Sequence, residues 1–316
     1  MGGAIQDIVK MNKIEFGDCR ETMRRWAADG VKAQMCVTSP PYFGLRDYGH
    51  EGQIGLEQTP EQYIAAMVEV FRCVRDVLAD DGTLWLNIGD SYASTGGHGG
   101  AQSSKMTGGE HKRTPGERKY QRPDGCKPKD LIGIPWMLAF ALRADGWYLR
   151  QDIIWSKPNP MPESVRDRCT KAHEYVFLLS KSERYFFDSE AMREEAVKGA
   201  AGSSFNTGKT ATHQLGRSSD AERVEDGKRN RRSVWTVATR PYKGAHFATF
   251  PPALIEPCIL AGSRTGDTVL DPFMGSGTTA AVALQHGRQY LGCEINPAYG
   301  PLQQERIAAA TPDERY

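Results

Sequence analysis

The chain has 316 residues, of which 39% are hydrophobic, and its formal net charge at pH 7 is +1. This length accommodates one large domain or two ordinary ones with a real apolar core. No apolar run approaches the roughly 20 residues that a membrane-spanning helix requires, so we expect a soluble globular protein. A net charge near zero neither indicates nor excludes a nucleic-acid partner, because such binding depends on where the charges lie.

Apolar runs and their flanking residues predict strands and helices that alternate along the chain. Strands are predicted at 13–18, 34–39, 83–90, 147–157, 173–181, 267–271 and 289–295. Helices are predicted at 60–82, 130–146, 250–262 and 277–287. This alternation predicts an α/β fold with a mostly parallel, doubly wound sheet that is covered by helices on both faces. Ligands of such sheets bind beyond the carboxyl ends of the strands.

Two long polar stretches interrupt the alternation. Residues 94–129 carry eight Lys or Arg against three Asp or Glu, and residues 198–232 end in GKRNRR. Each stretch is either a solvated surface loop or a phosphate-seeking loop that becomes ordered on nucleic acid. Neither stretch decides between these interpretations alone.

The sequence DPFMGSGTT at 271–279 joins a predicted strand to a predicted helix through a glycine-rich turn. Gly275 and Gly277 permit tight turning and close approach of the backbone to a ligand, and the helix N-terminus presents unpaired N–H groups. The spacing is not that of a dinucleotide-binding turn, G-x-G-x-x-G. Residues 202–210, GSSFNTGKT, also fail as a phosphate-binding loop, because five residues separate the glycines where four are required.

Glu294 closes the next predicted strand, about 20 residues after the glycine turn, where α/β nucleoside sites carry a carboxylate for the ribose hydroxyls. A plain strand-to-helix turn would need no such acid. Because no phosphate-binding device accompanies the turn, we expect a nucleoside ligand that lacks a pyrophosphate. S-adenosylmethionine fits that description.

Several motifs together resemble those of amino-directed DNA methyltransferases. DPFMGSGTT followed by YLGCEIN (290–296) is similar to their cofactor-binding motifs. TSPPY (38–42) is similar to their catalytic motif, which is Asp, Asn or Ser followed by Pro-Pro and an aromatic residue. Because TSPPY comes first, the order resembles the permuted β class. GDC (17–19), DIIWSKPNPMP (152–162) and HFATFPPALIE (246–256) extend the resemblance over nearly the whole chain.

The resemblance implies a circularly permuted sheet of the methyltransferase type that uses S-adenosylmethionine, with small target-recognition insertions. It implies a catalytic half at 12–157, a target-recognition region at 158–242 and a cofactor-binding half at 243–310. The basic loop at 94–129 would clamp or wrap the duplex.

The TSPPY motif has a physical reason in this chemistry. The exocyclic amino group of a base is a poor nucleophile, so the site must hold it in line with the methyl group and accept its hydrogens. We expect Ser39 and the carbonyl of Pro40 to be these acceptors, since Pro40 and Pro41 fix φ and remove competing N–H donors. Tyr42 is expected to stack on a flipped base. Trp155 either contacts the other side of that base or is a core tryptophan.

The resemblance also implies the cofactor pocket. Glu294 would bind the ribose hydroxyls, Asp18 would lie near the adenine, and His246 and Lys243 are weaker candidates on the methionine side. The residues assigned to the pocket are Asp18, Phe247, Phe250, Pro251, Asp271, Pro272, Phe273, Gly275, Gly277, Thr278 and Glu294.

The residue at position 39 indicates which nitrogen is methylated. In the resembled family, Ser at position 39 is more usual for cytosine N4 and Asp for adenine N6, so N4-cytosine is favoured and N6-adenine is the alternative.

Cys258 follows Pro257, as in the thiol site of cytosine-C5 methyltransferases, but is expected to be a small core residue. The seven cysteines show neither C-x-x-C spacing nor paired histidines, so no metal site or disulfide framework is expected, and the setting is expected to be reducing and intracellular.

The implied partner is DNA, as a duplex with a flipped base or as a single strand, and no membrane is implied. A homodimer and a cognate restriction endonuclease are left open. The alternatives are a methyltransferase of RNA or of protein glutamine, a non-catalytic DNA-binding module without a cofactor pocket, and a nucleotide hydrolase. The glutamine enzymes carry Asn where this chain has Ser39, and the hydrolase would need a functional loop at 202–210.

Overall fold

The computed structural model describes residues 11–45, 49–50, 52–93, 125–195, 227–239 and 250–310. Its strands are β1 (Lys13–Phe16), β2 (Ala33–Thr38), β3 (Leu78–Ile88), β4 (Tyr148–Ser156), β5 (His173–Ser180), β6 (Glu194–Glu195), β7 (Lys228–Arg229), β8 (Val234–Thr236), β9 (Thr268–Asp271) and β10 (Gln289–Glu294). Its helices are α1 (Cys19–Ala28), α2 (Pro60–Val77), α3 (Ile134–Ala144), α4 (Pro252–Gly262), α5 (Thr278–Gln285) and α6 (Gly300–Ala308), with a short 3-10 helix at Pro297–Tyr299.

The central sheet has eight strands in the order β1-β10-β9-β2-β3-β5-β4-β8. Neighbouring strands are parallel except where β5 pairs antiparallel with β3 and β4. The prediction of an α/β fold with a mostly parallel sheet is therefore confirmed. β9 and β10 come from the end of the chain but lie between β1 and β2, which is the permuted strand arrangement expected from the motif order.

The sheet is covered on both faces. One hydrophobic cluster joins α1, α2 and α3 to the sheet, with Trp26, Phe71 and Leu138 fully buried. The other joins α4 and α5 to the opposite face, where Ile259 and Val269 are fully buried. Since β2 proceeds to β3 on one side and β9 to β10 on the other, the β2–β9 boundary is the switch point at which such sheets bind ligands.

The longest helix shows how the sequence sets these elements. Thr59 precedes α2, and its hydroxyl accepts a hydrogen bond from Gln62 N at 3.2 Å, while Pro60 occupies the first turn. Buried residues then recur at helical spacing, including Tyr63, Met67 and Val74. The predicted end at residue 82 is wrong: Val77 ends the helix because Leu78 adopts an extended conformation and begins β3.

Two α-helices, the strand β8 of the central sheet and the two-residue strands β6 and β7 escape sequence prediction. α1 is mostly polar and buries only Cys19, Thr22, Met23 and Trp26, and α6 buries only Gln303. β8 has three residues, which is too short for a periodic pattern.

The predicted recognition region at 158–242 contributes to the sheet. β5 and β8 both fall within it and pair with β4. The middle of this region, at 196–226, lies outside the described residues, as do 94–124 of the first polar stretch. No described helix is long and apolar enough to cross a membrane.

Candidate functional site

The two motifs singled out in the sequence meet at the carboxyl edge of the sheet. Thr38 ends β2 and Asp271 ends β9, and the Thr38 hydroxyl donates a 2.6 Å hydrogen bond to Asp271 Oδ1. These residues are 233 positions apart. The bond ties the start of the Ser39–Tyr42 turn directly to the glycine-rich turn after β9.

The carbonyl of Pro40 in the Ser39–Tyr42 turn is open. The hydroxyl of Tyr63, on α2, donates to the carbonyl oxygen of Pro41 at 2.8 Å. Among the described residues, no donor takes up the carbonyl of Pro40. Ser39 is half-buried, and its Oγ lies 3.4 Å from the Tyr42 hydroxyl. Ser39 and the Pro40 carbonyl thus have acceptor capacity to offer a bound amino group.

Tyr42 is held at both its ring and its hydroxyl. Its Oη donates to Glu174 Oε2 at 2.6 Å, and its ring packs so closely on Gly89 that a Cβ there would lie 2.8 Å from Tyr42 Cε2. Burial, followed by the Glu174 charge, raises the pKa of Tyr42 well above its usual value. The hydroxyl therefore stays protonated at neutral pH. Stacking of this ring on a base remains a prediction.

The carboxylate of Asp271 organises the turn after β9. Its Oδ1 accepts from Thr38 Oγ1 at 2.6 Å and from Phe273 N at 3.0 Å, and its Oδ2 accepts from Thr279 Oγ1 at 2.6 Å. Asp271 is only 1% exposed, and burial raises its pKa to about 6 despite these donors. The hydrogen bonds that Asp271 accepts hold the turn in its conformation.

Glu294 faces the same turn from the end of β10. Its Oε2 accepts from Gly275 N at 2.8 Å and its Oε1 from Asn296 N at 2.8 Å. Burial raises its pKa. Each carboxylate oxygen accepts one of these bonds and keeps further acceptor capacity. These acceptors are compatible with the predicted binding of ribose hydroxyls by Glu294, which stays a prediction.

Positive φ angles explain the two glycines of the turn. Gly275 has φ 52° and Gly277 has φ 83°, which favour glycine. A Cβ at Gly275 would meet no neighbour closer than Phe273 O at 3.8 Å, so the backbone there is open to a ligand. A Cβ at Gly277 would lie 3.3 Å from Gln303 Cα, where α6 packs on the turn.

α6 makes contacts with the glycine turn that the sequence motifs do not predict. Gln303 is buried, and its Nε2 donates to Gly275 O at 2.7 Å. Arg306 donates to Ser276 Oγ at 2.8 Å and also to Thr278 Oγ1. The predicted pocket residue Thr278 is thus bound to α6, and α6 clamps the turn from its outer side.

The remaining predicted pocket residues are spread around this edge. Asp18 caps α1 by accepting from Arg20 N at 2.8 Å and pairs with the Arg20 guanidinium at 2.5 Å, and these bonds from Arg20 lower its pKa. Pro251 immediately precedes α4. Phe250 packs on the hydrophobic cluster that joins α4 and α5 to the sheet. Pro272 is buried and Phe273 half-buried within the turn. Phe247 lies outside the described residues, as do His246, Lys243 and the stretch at 202–210.

Trp155 and Cys258 both lie in the core. Trp155 is 4% exposed, its Nε1 donates to Val237 O at 2.8 Å, and the Lys157 ammonium lies 4.4 Å from the centroid of its ring. This position favours the core interpretation of Trp155 over base contact. Cys258 is fully buried in α4, as predicted.

Sequence reasoning missed a polar cluster beside the Ser39–Tyr42 turn. Glu174 is the second residue of β5. It accepts from Tyr42, pairs with Lys157 and accepts from Asn87 Nδ2 at 3.2 Å. Lys157 and Glu174 stand in the predicted segments WSK and HEY. Lys157 and Glu174 come together only because β4 pairs with β5, so the sequence alone does not indicate the cluster.

Comparisons of sequence and of fold both find similarity to DNA methyltransferases. The chain matches the family model described as DNA methylase over residues 33–305. It is 49% identical over 294 residues to Type II methyltransferase M.Cfr9I of Citrobacter freundii, which covers 92% of this chain and 86% of that protein. It is also 49% identical over 295 residues to Type II methyltransferase M.SmaI of Serratia marcescens, which covers 93% and 90%.

Two solved structures share the fold. The cytosine-N4-specific PvuII DNA methyltransferase matches with a TM-score of 0.62 and 17% identity, over 97% of this chain and 89% of that one. A DNA modification methylase from Thermus thermophilus, described as putative and complexed with S-adenosyl-L-methionine, matches with a TM-score of 0.58 and 22% identity, over 95% of each chain.

Proposed function

Because the chain belongs to the DNA methylase family of N4- and N6-directed amino-methyltransferases, we propose that it methylates the N4 amino group of cytosine within a specific DNA sequence. The cofactor of this family is S-adenosyl-L-methionine, and the sheet has the fold of the methyltransferases that use it. Adenine N6 is the alternative target of the same site.

The hydrogen bond between Thr38 and Asp271 carries this proposal. It joins the two turns at the switch point of the sheet, so a base amino group held by Ser39 and a cofactor held by the Gly275–Gly277 turn would be neighbours. A non-catalytic DNA-binding module would have no need to bring these turns together.

The residues around the glycine turn fit the cofactor. Glu294 keeps acceptor capacity for the two ribose hydroxyls, and the open backbone at Gly275 admits a close ligand. S-adenosyl-L-methionine, when bound, supplies an activated methyl group on its sulfonium. In the proposed site Asp271 supports the turn through Thr38, Phe273 and Thr279.

Ser39 and Pro40 would act on the target nitrogen. Their two acceptors take up the two amino hydrogens, which directs the nitrogen lone pair out of the base plane and stabilises the positive charge that develops there. No protein nucleophile takes part: the methyl group would pass directly to the nitrogen as its bond to the sulfonium sulfur breaks, and the methylated nitrogen would then lose one proton to solvent. A base can reach this turn only after leaving the duplex stack.

The preference for cytosine N4 rests on Ser39. In the family this position is more usually Ser for N4-cytosine and Asp for N6-adenine enzymes. A neutral hydroxyl can serve either amino group, so the alternative target follows from the same contacts.

Sequence recognition is proposed for the parts of 158–242 that lie outside the strands of the central sheet. Lys228, Arg229, Arg231 and Arg232 stand immediately before β8 or within β7, and their side chains suit phosphates and guanine edges. Since the relatives M.Cfr9I and M.SmaI are Type II methyltransferases, the proposal includes action in the cytoplasm alongside a restriction endonuclease of the same specificity.

Nucleoside mass spectrometry tests the proposal. Amplified, unmethylated DNA is incubated with the protein and S-adenosyl-L-methionine, digested to nucleosides and compared with a reaction lacking protein. N4-methylcytosine is the expected product. N6-methyladenine would retain the enzyme class but overturn the target atom, and unmodified DNA from both duplex and single-stranded substrates would overturn the DNA methyltransferase proposal.

A further inference from the structure

A chain of hydroxyl groups connects the half-buried carboxylate of Glu174 to the proposed catalytic serine. Glu174 Oε2 accepts the Tyr42 hydroxyl at 2.6 Å, and Tyr42 Oη in turn lies 3.4 Å from Ser39 Oγ. Glu174 and Ser39 make no direct contact among the described hydrogen bonds, so any effect of Glu174 on Ser39 must pass through Tyr42.

Glu174 is fixed on its other sides. Its Oε1 pairs with the Lys157 ammonium, and its Oε2 also accepts from Asn87 Nδ2 at 3.2 Å. The side chains of Lys157 and Glu174 are only 18% and 15% exposed, and Trp155 lies beneath the ammonium. Because Asn87 Nδ2 also donates to the carbonyl of Tyr175 at 3.1 Å, the orientation of its amide is determined.

These contacts determine where each proton points. The Glu174 carboxylate, paired with Lys157, accepts hydrogen bonds and donates none. Tyr42 Oη can direct its single proton to Glu174 Oε2 at 2.6 Å or to Asn87 Oδ1 at 3.4 Å, and the nearer, charged oxygen of Glu174 is the stronger acceptor. The lone pairs of Tyr42 Oη are then free to accept the Ser39 proton. Ser39 Oγ, having turned its proton towards Tyr42, presents only lone pairs to a bound amino group.

We propose that Glu174 is a positioning residue that sets the direction of the Ser39–Tyr42–Glu174 hydrogen bonds, so that Ser39 meets the target amino group as an acceptor. This inference rests on the proposed function of Ser39. Glu174 itself touches neither the base nor the cofactor. A hydroxyl left free to rotate would present its own proton to the amino hydrogens for part of the time.

Glu174→Gln tests this role with almost no change in shape. The Gln amide can donate to Tyr42 Oη, which reverses the chain and turns the Ser39 proton towards the substrate. We expect the single-turnover rate constant at saturating DNA and S-adenosyl-L-methionine to fall on the order of 10- to 100-fold, by analogy with residues that orient metal ligands from the outer shell. The dissociation constant of S-adenosyl-L-methionine should stay within about twofold, given that Glu174 does not line the cofactor turn.

Tyr42→Phe supplies the decisive comparison. It retains the ring on Gly89 but removes the hydroxyl through which Glu174 acts. Glu174→Gln should then cause almost no further loss in the Tyr42→Phe background, since the two residues act as one unit. A role in stability or in DNA contact would give the same loss in both backgrounds.

Glu15→Gln is the matched control. Glu15 is another partly buried carboxylate that pairs with a lysine, Lys13 at 2.6 Å, and accepts from an aromatic side chain, Trp26 Nε1 at 3.0 Å. It lies on β1, away from the Ser39–Tyr42 turn, so its change should leave the single-turnover rate unaltered.

Each outcome has a distinct meaning. Additive losses of the two variants, or full activity of Tyr42→Phe alone, would overturn the inference while leaving the proposed function intact. The Tyr42→Phe measurement decides this even if Glu174→Gln does not fold. A wild-type protein that transfers no methyl group to DNA would overturn the proposed function and this inference with it.

Discussion

In the proposed mechanism, both methyl transfer and the choice of target nitrogen depend on Ser39. Ser39→Ala removes one of the two proposed acceptors and leaves the Thr38–Asp271 bond in place. A hydrogen bond to a developing charge contributes about 1.5–3 kcal/mol, so we expect the single-turnover rate constant to fall about 10- to 100-fold. Calorimetry should find unchanged S-adenosyl-L-methionine affinity. A rate equal to that of the wild type would remove Ser39 from the mechanism.

Asp271 should make the stability of the protein depend on pH. Its pKa is about 6 in the folded protein, against about 3.9 in an unfolded chain. The folded state thus holds the proton more tightly, and the free energy of unfolding decreases as pH rises from about 4 through about 6. Below this window both states are protonated, and above it the full cost of the buried charge remains.

Asp271→Asn isolates this dependence, because the amide cannot ionise. The melting temperature of the wild type minus that of the variant should fall as pH rises from about 4 to about 7 and then level off, as measured by calorimetry. Glu294, whose pKa burial also raises, is present in both proteins, so only its electrostatic coupling to Asp271 enters the difference. A difference that is flat with pH would show that Asp271 titrates near its usual value.

Site residues that belong to a sequence motif can be predicted, whereas site residues whose roles come only from contacts in the fold cannot. Ser39, Asp271 and Glu294 stand in short motifs whose spacing has a chemical meaning, and the structure brings all three to one edge of the sheet. Glu174 and Gln303 belong to no motif. Their roles come from contacts with Tyr42, 132 positions away, and with Gly275, 28 positions away, and such contacts depend on strand order and helix packing.

The same distinction holds for whole elements. β2, β9 and β10 are short apolar runs that are buried along almost their whole length, and such runs are visible in sequence. α6 has a mostly polar sequence and buries a single side chain, so it carries no apolar stripe. Its importance lies in what it touches: Gln303 and Arg306 bind three residues of the glycine turn.

α6 should therefore control cofactor affinity without contacting the cofactor. Gln303→Ala removes the donor to Gly275 O and leaves a gap beside Gly277. A lost hydrogen bond of about 1.5 kcal/mol would weaken S-adenosyl-L-methionine binding roughly tenfold. Titration calorimetry measures this, with the exposed neighbour Gln304→Ala as the matched control. Equal affinities of the two variants would mean that the turn keeps its shape without α6.

At the scale of the whole molecule, the sheet interleaves the two ends of the chain. β1 pairs with β10, and β2 pairs with β9. β5, from the region predicted for recognition, joins β3 to β4. The division into 12–157, 158–242 and 243–310 thus describes the order of motifs along the chain. In space, strands from all three segments form one sheet.

This interleaving predicts that the catalytic segment cannot fold alone. Residues 12–157 contain β1 to β4, but of the pairings in the central sheet only β2–β3 lies wholly within them. A two-stranded unit without its partner strands is at best marginally stable, and its apolar residues would be exposed to water. The isolated segment should show a collapsed amide NMR spectrum and no cooperative melting transition. Co-expression with 158–316 should restore S-adenosyl-L-methionine binding, because β5, β9 and β10 then complete the sheet. A dispersed spectrum from 12–157 alone would show that its helices and the β2–β3 pair suffice, and that the Thr38–Asp271 bond joins two units that fold independently.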